Sequence, residues 1–165
     1  MANARWIWFP EGDPAASAPA ATRYLRRTFT APAGPYTAAH LVVTGDDTVD
    51  VWLNDTWLAV SPRATDSWRQ AIRVDLSAAL RPGANTLTLA ARNTSQGPAG
   101  VVGYLDIAAA GGTVALVTDG GWQAANAVPH AWVAARDLGA YGTGPWGTGV
   151  QLPTTGASSP SPSRG

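Results

Sequence analysis

Cysteine is absent from the 165 residues, so neither a disulfide nor a thiolate metal site is open to this chain. Lysine is absent too: all eleven basic residues are arginine, and Glu11 is the one glutamate among eleven acids. Good helix formers other than Ala and Leu are therefore scarce. Basic and acidic residues balance to a formal net charge of zero, which removes the electrostatic case for nucleic acid or an anionic membrane surface. No apolar run approaches the roughly 18 residues of a membrane span. The opening residues, MANARW, do not read as a signal peptide.

Thr, Val, Gly, Pro and Trp are plentiful instead, with eight tryptophans, and this favours an all-β chain with many turns. Short runs bounded by turn residues recur from about Arg5 to Val150. RWIWF (5–9) stops at Pro10, TRYLRRTFT (22–30) at APAGP, and AHLVVT (39–44) at Asp46-Asp47. In TVDVWLN (48–54), Val49, Val51 and Leu53 share one face, and Asp50, Trp52 and Asn54 the other. TWLAV (56–60) follows an Asn54-Asp55 turn, a hairpin signal. AIRVDL (71–76) leads into SAALRPG, read as one helical turn stopped by Pro82-Gly83. NTLTLAARN (85–93) alternates, and VVGYLDIAA (101–109) and TVALVT (113–118) flank a second hairpin. About nine strands with no ten-residue helical pattern predict an antiparallel β-sandwich or barrel.

The domain is expected over 1–150, with 151–165 as a Pro/Ser/Thr linker or tail that cannot bury enough surface to order itself. LPTTG (152–156) matches a sortase sorting motif, but the apolar and basic residues that such a signal needs do not follow it. The linker reading is preferred, and surface attachment stays open as the alternative.

Five stretches, in order, carry a family resemblance: RWIWFPEG, TRYLRRTFTAP, DDTVDVWLND, VDLSAALRPGANTLTLAARNTSQGPAGVVGYLDI and DLGAYGTGPWGTGV. The chain resembles the galactose-binding-like jelly roll of bacterial α-L-rhamnosidases and other actinobacterial carbohydrate-active proteins. One departure is Asp55, where the third stretch of the family usually has Gly. The resemblance implies a noncatalytic accessory module of a secreted glycoside hydrolase, beside a separate helical-barrel catalytic domain. It also implies an extracellular location and a carbohydrate partner of the L-rhamnose or galactose type. Domains of this kind often hold calcium. A spacer or assembly module without its own ligand is the alternative.

The residues offer three chemistries. A glycosidase needs two carboxyls facing each other across a bond. Asp46 and Asp47 are sequence neighbours and Glu11 has no marked partner, so catalysis is not expected. His40 and His130 sit in unlike contexts, and no nucleophile elbow or His pair is present. Calcium takes six to eight oxygens. Asp46 and Asp47, with Asn93 from another strand, could supply several. A sugar needs an aromatic face and planar polar groups in a preformed hollow. Trp6, Trp68, Trp122 and Trp146 are expected to pack, GPWG (144–147) to close as a strap, and Trp132 to anchor the last segment. Trp8, Trp52 and Trp57 remain as platforms, and Arg26 and Arg27 must point to opposite sides of their strand. The expected sugar site is Trp8, Glu11, Asp46, Asp47, Trp52 and Asn93, gathered where loops meet at one end of the sandwich.

Overall fold

The structure is a computed structural model, and it describes residues 1–63 and 66–153. Most of the expected tail, including LPTTG beyond Pro153, lies outside the described residues, as do Ala64 and Thr65 of the 61–68 segment.

Twelve strands run through the described residues: β1 (Arg5–Trp8), β2 (Ala21–Ala31), β3 (Tyr36–Asp46), β4 (Thr48–Leu53), β5 (Thr56–Val60), β6 (Ile72–Asp75), β7 (Gly83–Asn93), β8 (Gly100–Ala109), β9 (Gly112–Val117), β10 (Gln123–Ala125), β11 (Val133–Ala134) and β12 (Arg136–Ala140). They form two antiparallel sheets. The first has the order β12-β1-β8-β3-β6, with β9 also paired to β8; the second is β11-β10-β2-β7-β4-β5.

Alternation sets which face of the second sheet is buried. Val49, Val51 and Leu53 of β4 and Leu87, Leu89 and Ala91 of β7 are each at most 1% exposed, and all point into one core. Asp50 and Trp52 of β4, and Thr86, Thr88 and Ala90 of β7, point outward. Burying each Val or Leu side chain contributes roughly 1.5–3 kcal/mol. A one-residue slip would turn all of them to water, so the register is strongly held. The turn joining β4 to β5 places Asn54 at φ 55°, a left-handed conformation that Asn tolerates, so Asp55 need not be Gly.

The first strand departs from strict alternation. Ile7 and Trp8 both enter the main core, and beside them the β1–β12 pairing skips Leu138 of β12. Trp6 instead joins a second cluster on the other side of the first sheet. There the segment after β12 crosses the sheet as the expected strap. Trp146 stacks on Trp6 with ring centroids 4.0 Å apart and planes 13° apart. The strap is tied down at its end, where Gln151 donates to the Arg69 carbonyl at 2.6 Å. Gly100 lies beneath both indoles, where a Cβ would come within 2.8 Å of Trp6 and 2.9 Å of Trp146.

The expected helical turn at 77–83 is a hydrogen-bonded turn only, with the Leu80 amide donating to the Leu76 carbonyl at 2.9 Å. Pro82 leaves no room for a second turn, because β7 starts at Gly83.

Candidate functional site

The end of β3, the segment after β1 and the loop after β7 meet at one end of the sandwich. The Asp47 amide donates to the Arg92 carbonyl at 2.8 Å, Ala18 and Gly97 exchange backbone hydrogen bonds, and the Ala99 amide donates to the Pro14 carbonyl. Asp46 and Asp47 are each 7% exposed at this rim. Trp146 donates its indole N–H to Asp46 Oδ2 at 2.9 Å. Thr94 donates its backbone N–H to Asp47 Oδ2 at 2.8 Å, and its hydroxyl donates to the same oxygen. Among the described residues no arginine forms an ion pair with either carboxylate.

The electrostatic consequence falls on Asp46. Burial pushes its pKa from 3.8 to about 7; the Trp146 hydrogen bond opposes the rise, while contact with Asp47 and the charge of Asp66 add to it. A carboxyl group in this setting stays half protonated near neutral pH unless a cation or further donors reach it.

Three of the expected site residues serve the scaffold of this rim. Trp8 is 1% exposed, packed in the main core, and it presents no stacking surface. Its indole N–H donates to Glu11 Oε2 at 3.1 Å. Arg23 grips Glu11 from the other side with Nε on Oε2 and Nη2 on Oε1, both at 2.7 Å. Both oxygens of Glu11 are thereby engaged, which leaves it little capacity for a ligand. Asn93, 2% exposed, donates from Nδ2 to the carbonyls of Ala18, Pro19 and Gly97, at 3.0, 3.1 and 3.4 Å. It clamps the loop after β7, and its amide nitrogen is not free for a ligand.

Trp52 lies elsewhere, on the outer face of the second sheet, and is 38% exposed. It flanks a groove of about 770 Å³ that runs along β7. Thr86, Thr88 and Ala90 form the floor. In register, Thr88 lies between Arg26 of β2 and Trp52 of β4, and Ala90 between Tyr24 and Asp50. The wall opposite Trp52 is built from the 126–132 loop folding back over β2. Tyr24 and His130 are 4.5 Å apart between ring centroids, as are His130 and Trp132. The Arg26 guanidinium lies 4.2 Å from the Trp132 ring. Trp57, 37% exposed, donates to Asp50 Oδ2 at 3.0 Å and so steadies the Trp52 side.

Sequence reasoning missed Tyr24, Thr88, Ala90 and His130 as a set. The signal was present in part, because Tyr24, Arg26 and Thr28 alternate outward on β2 as Thr86, Thr88 and Ala90 do on β7. What no periodicity could give is the return of residues 126–132 across about a hundred positions. The expected division of Arg26 and Arg27 is present: Arg26 faces the groove, whereas Arg27 lies 3.9 Å from Asp119.

Among the described residues no three His, Cys, Asp or Glu side chains converge as a metal cluster. No helix among them is long and apolar enough to cross a membrane.

The two antiparallel sheets match β-sandwich domains of rhamnosidases and of a lectin, which fits a galactose-binding-like domain of the accessory, carbohydrate-binding-like kind. The chain is similar to part of the α-L-rhamnosidase of Streptomyces avermitilis, with 35% identity over 160 residues. The alignment covers 89% of this chain and 15% of the rhamnosidase, so the chain spans a small part of its relative. The crystal structure of that rhamnosidase complexed with L-rhamnose superposes with a TM-score of 0.82 at 34% identity, over 90% of this chain and 16% of that one. A lectin from Pleurotus ostreatus superposes with a TM-score of 0.78 at 26% identity, over 92% of this chain and 46% of the lectin. The same lectin in complex with GalNAc gives 0.77. No family model matches the sequence.

Proposed function

We propose that this chain is a noncatalytic carbohydrate-binding module of a larger, secreted glycoside-processing protein. Its sugar pole is the Asp46–Asp47 rim. The observation that carries this is the placement of two adjacent, nearly buried carboxylates with no cationic partner among the described residues. Among the described residues the donors that reach the pair, Trp146 and Thr94, all bond Oδ2 atoms, and no cation balances its charge. Vicinal sugar hydroxyls supply donors in the fixed geometry that a carboxylate accepts. The likeness to a lectin solved with GalNAc and to a rhamnosidase solved with L-rhamnose supports the same class of ligand.

The donor set also fits calcium in part. Asp46 and Asp47 offer hard carboxylate oxygens, and the remaining ligands of a six- to eight-coordinate ion would be carbonyls, water or sugar hydroxyls. Asn93 holds the neighbouring loop through its amide nitrogen, and the atom it could offer to calcium is its Oδ1. A bound divalent cation would supply the charge that otherwise arrives as a proton on Asp46.

Isothermal titration of the domain with L-rhamnose, galactose and GalNAc, with and without calcium, tests the reading. Expected is millimolar or tighter binding that Asp46→Asn and Asp47→Asn each weaken by about tenfold, or about 1.4 kcal/mol. Calcium alone should raise the unfolding midpoint, by about 2.7 kcal/mol of stability at a hundredfold excess over its dissociation constant. Absence of heat with every sugar, in both conditions, rejects the pole as a sugar site.

A further inference from the structure

The groove on the outer face of the second sheet is lined by neither Asp46 nor Asp47, and the proposed rim pole does not use it. We propose that it is a second saccharide site, one that takes a neutral oligosaccharide lying along β7.

Four observations point to this ligand. First, a hollow of about 770 Å³ falls within the roughly 300–1,000 Å³ of small-ligand sites and is lined by residues spaced along β7. Second, its two sides differ as a chain of sugar rings requires. Trp52 offers an exposed aromatic face on one side, while Arg26 and Trp132 stand on the other. Third, the floor is low. Thr86, Thr88 and Ala90 are small, and two of them bring hydroxyls, so a polyhydroxylated ligand meets hydrogen-bonding groups underneath. Fourth, the charges cancel: Arg26 and Arg81 are matched by Asp50 and Asp55 along the lining. A neutral, polar ligand suits such a surface, whereas a polyanion would meet no net attraction.

The groove is also held open before any ligand arrives. Arg26 Nε donates to Gln123 Oε1 at 2.8 Å, which fixes the guanidinium under Trp132. Arg63 donates to Asp50 Oδ1 at 3.1 Å, while Trp57 holds the other oxygen. Asn54 is locked between the Thr86 amide and Asn85, at 3.0 and 3.2 Å. These bonds leave few side chains to order on binding, and preorganisation of that kind favours affinity. They also assign roles. Trp52 is the stacking residue, the outer nitrogens of Arg26 are the polar contact, and Asp50 and Asn54 are positioning residues.

A flat protein partner is the competing occupant, because Trp52, Trp57 and Val128 are exposed on this face. The threonine floor and the charged lining argue against it. The core of a protein interface is depleted of charge, whereas this lining carries four charged side chains.

The test is titration of the full chain with neutral gluco-, xylo-, manno- and rhamno-oligosaccharides from mono- to hexasaccharide, read by Trp fluorescence and calorimetry. The expected result is affinity that rises with chain length in at least one series. Trp52→Ala should lower it about tenfold or more. Thr88→Glu should do the same by filling the floor and pairing with Arg26, yet keep the unfolding midpoint, which controls for folding. Asp46→Asn, which weakens the rim pole, should leave the length-dependent binding unchanged, so the two sites fail separately. Length-independent affinity, or binding that survives both groove variants, overturns the proposal. So does a groove that responds to no oligosaccharide but buries Trp52 against a second protein.

Discussion

Trp146 donates its indole N–H to the Asp46 carboxylate at 2.9 Å across a hundred positions of sequence, and thereby joins the closing strap to the acidic rim. The same indole stacks on Trp6. One side chain thus links the packing of the first sheet's outer cluster to the ionisation of the rim.

The pH dependence of stability follows from that link. The pKa of Asp46 is raised from 3.8 to about 7, so the native state holds a proton that the unfolded chain releases. Its contribution is therefore fully present below the ordinary aspartate range and is lost as pH rises through the folded value. Without calcium, the unfolding midpoint should fall by a few degrees between about pH 5 and about pH 8. Asp46→Asn keeps an acceptor for Trp146 but has nothing to titrate, so this slope should flatten in thermal melts. Equal slopes in the two proteins would show that Asp46 ionises freely. Saturating calcium should reduce the wild-type slope as well, by favouring the ionised pair.

Gly100→Ala should loosen the strap. The added carbon would meet two ring systems at 2.8 and 2.9 Å, and neither indole can swing aside without leaving its stack. Overpacking of this kind costs about 1–3 kcal/mol. Urea unfolding would measure the loss, and an unchanged midpoint would mean that the rings yield at no cost.

Arg23→Ala should lower stability by about 1.5–3 kcal/mol, the range for hydrogen bonds to charged groups, because Glu11 then remains half-buried with Trp8 as its only donor. Sugar affinity should stay within about twofold, roughly 0.4 kcal/mol. A larger loss of affinity with intact stability would return Glu11 and Arg23 to the ligand contacts.

Asn93→Ala should release the loop after β7. Three carbonyls lose a common donor, and the Ala18 and Gly97 amides that bond across the same junction should exchange hydrogen faster. Leu89, in the middle of the same strand, should keep its protection. Uniform acceleration at both places would point to global destabilisation instead.

The sandwich was readable because β4 and β7 alternate cleanly, and each inward residue there is a Val, Leu or Ala. The last three strands carry no such pattern. QAA, VA and RDLGA are too short and too rich in small residues for a period to show, and they pair only because tertiary contacts bring them to sheet edges. Among the candidate site residues, Asp46 and Asp47 stand at the rim where the loops meet. Trp8 does not face outward; it shares the main core with its neighbour Ile7, a departure from alternation that residue types alone do not reveal. The groove escaped notice for the opposite reason: its floor alternates visibly, but the wall facing Trp52 folds in from a loop of Pro, His and Trp with no periodicity.

Stacked indoles couple their electronic transitions, so the Trp6–Trp146 pair should give a circular-dichroism signal of its own in the near ultraviolet. The partly solvated ring of Trp52 should instead report through its emission colour. The protein thus carries two built-in optical probes, one for strap closure and one for groove occupancy, and a ligand at either place can be followed without a label.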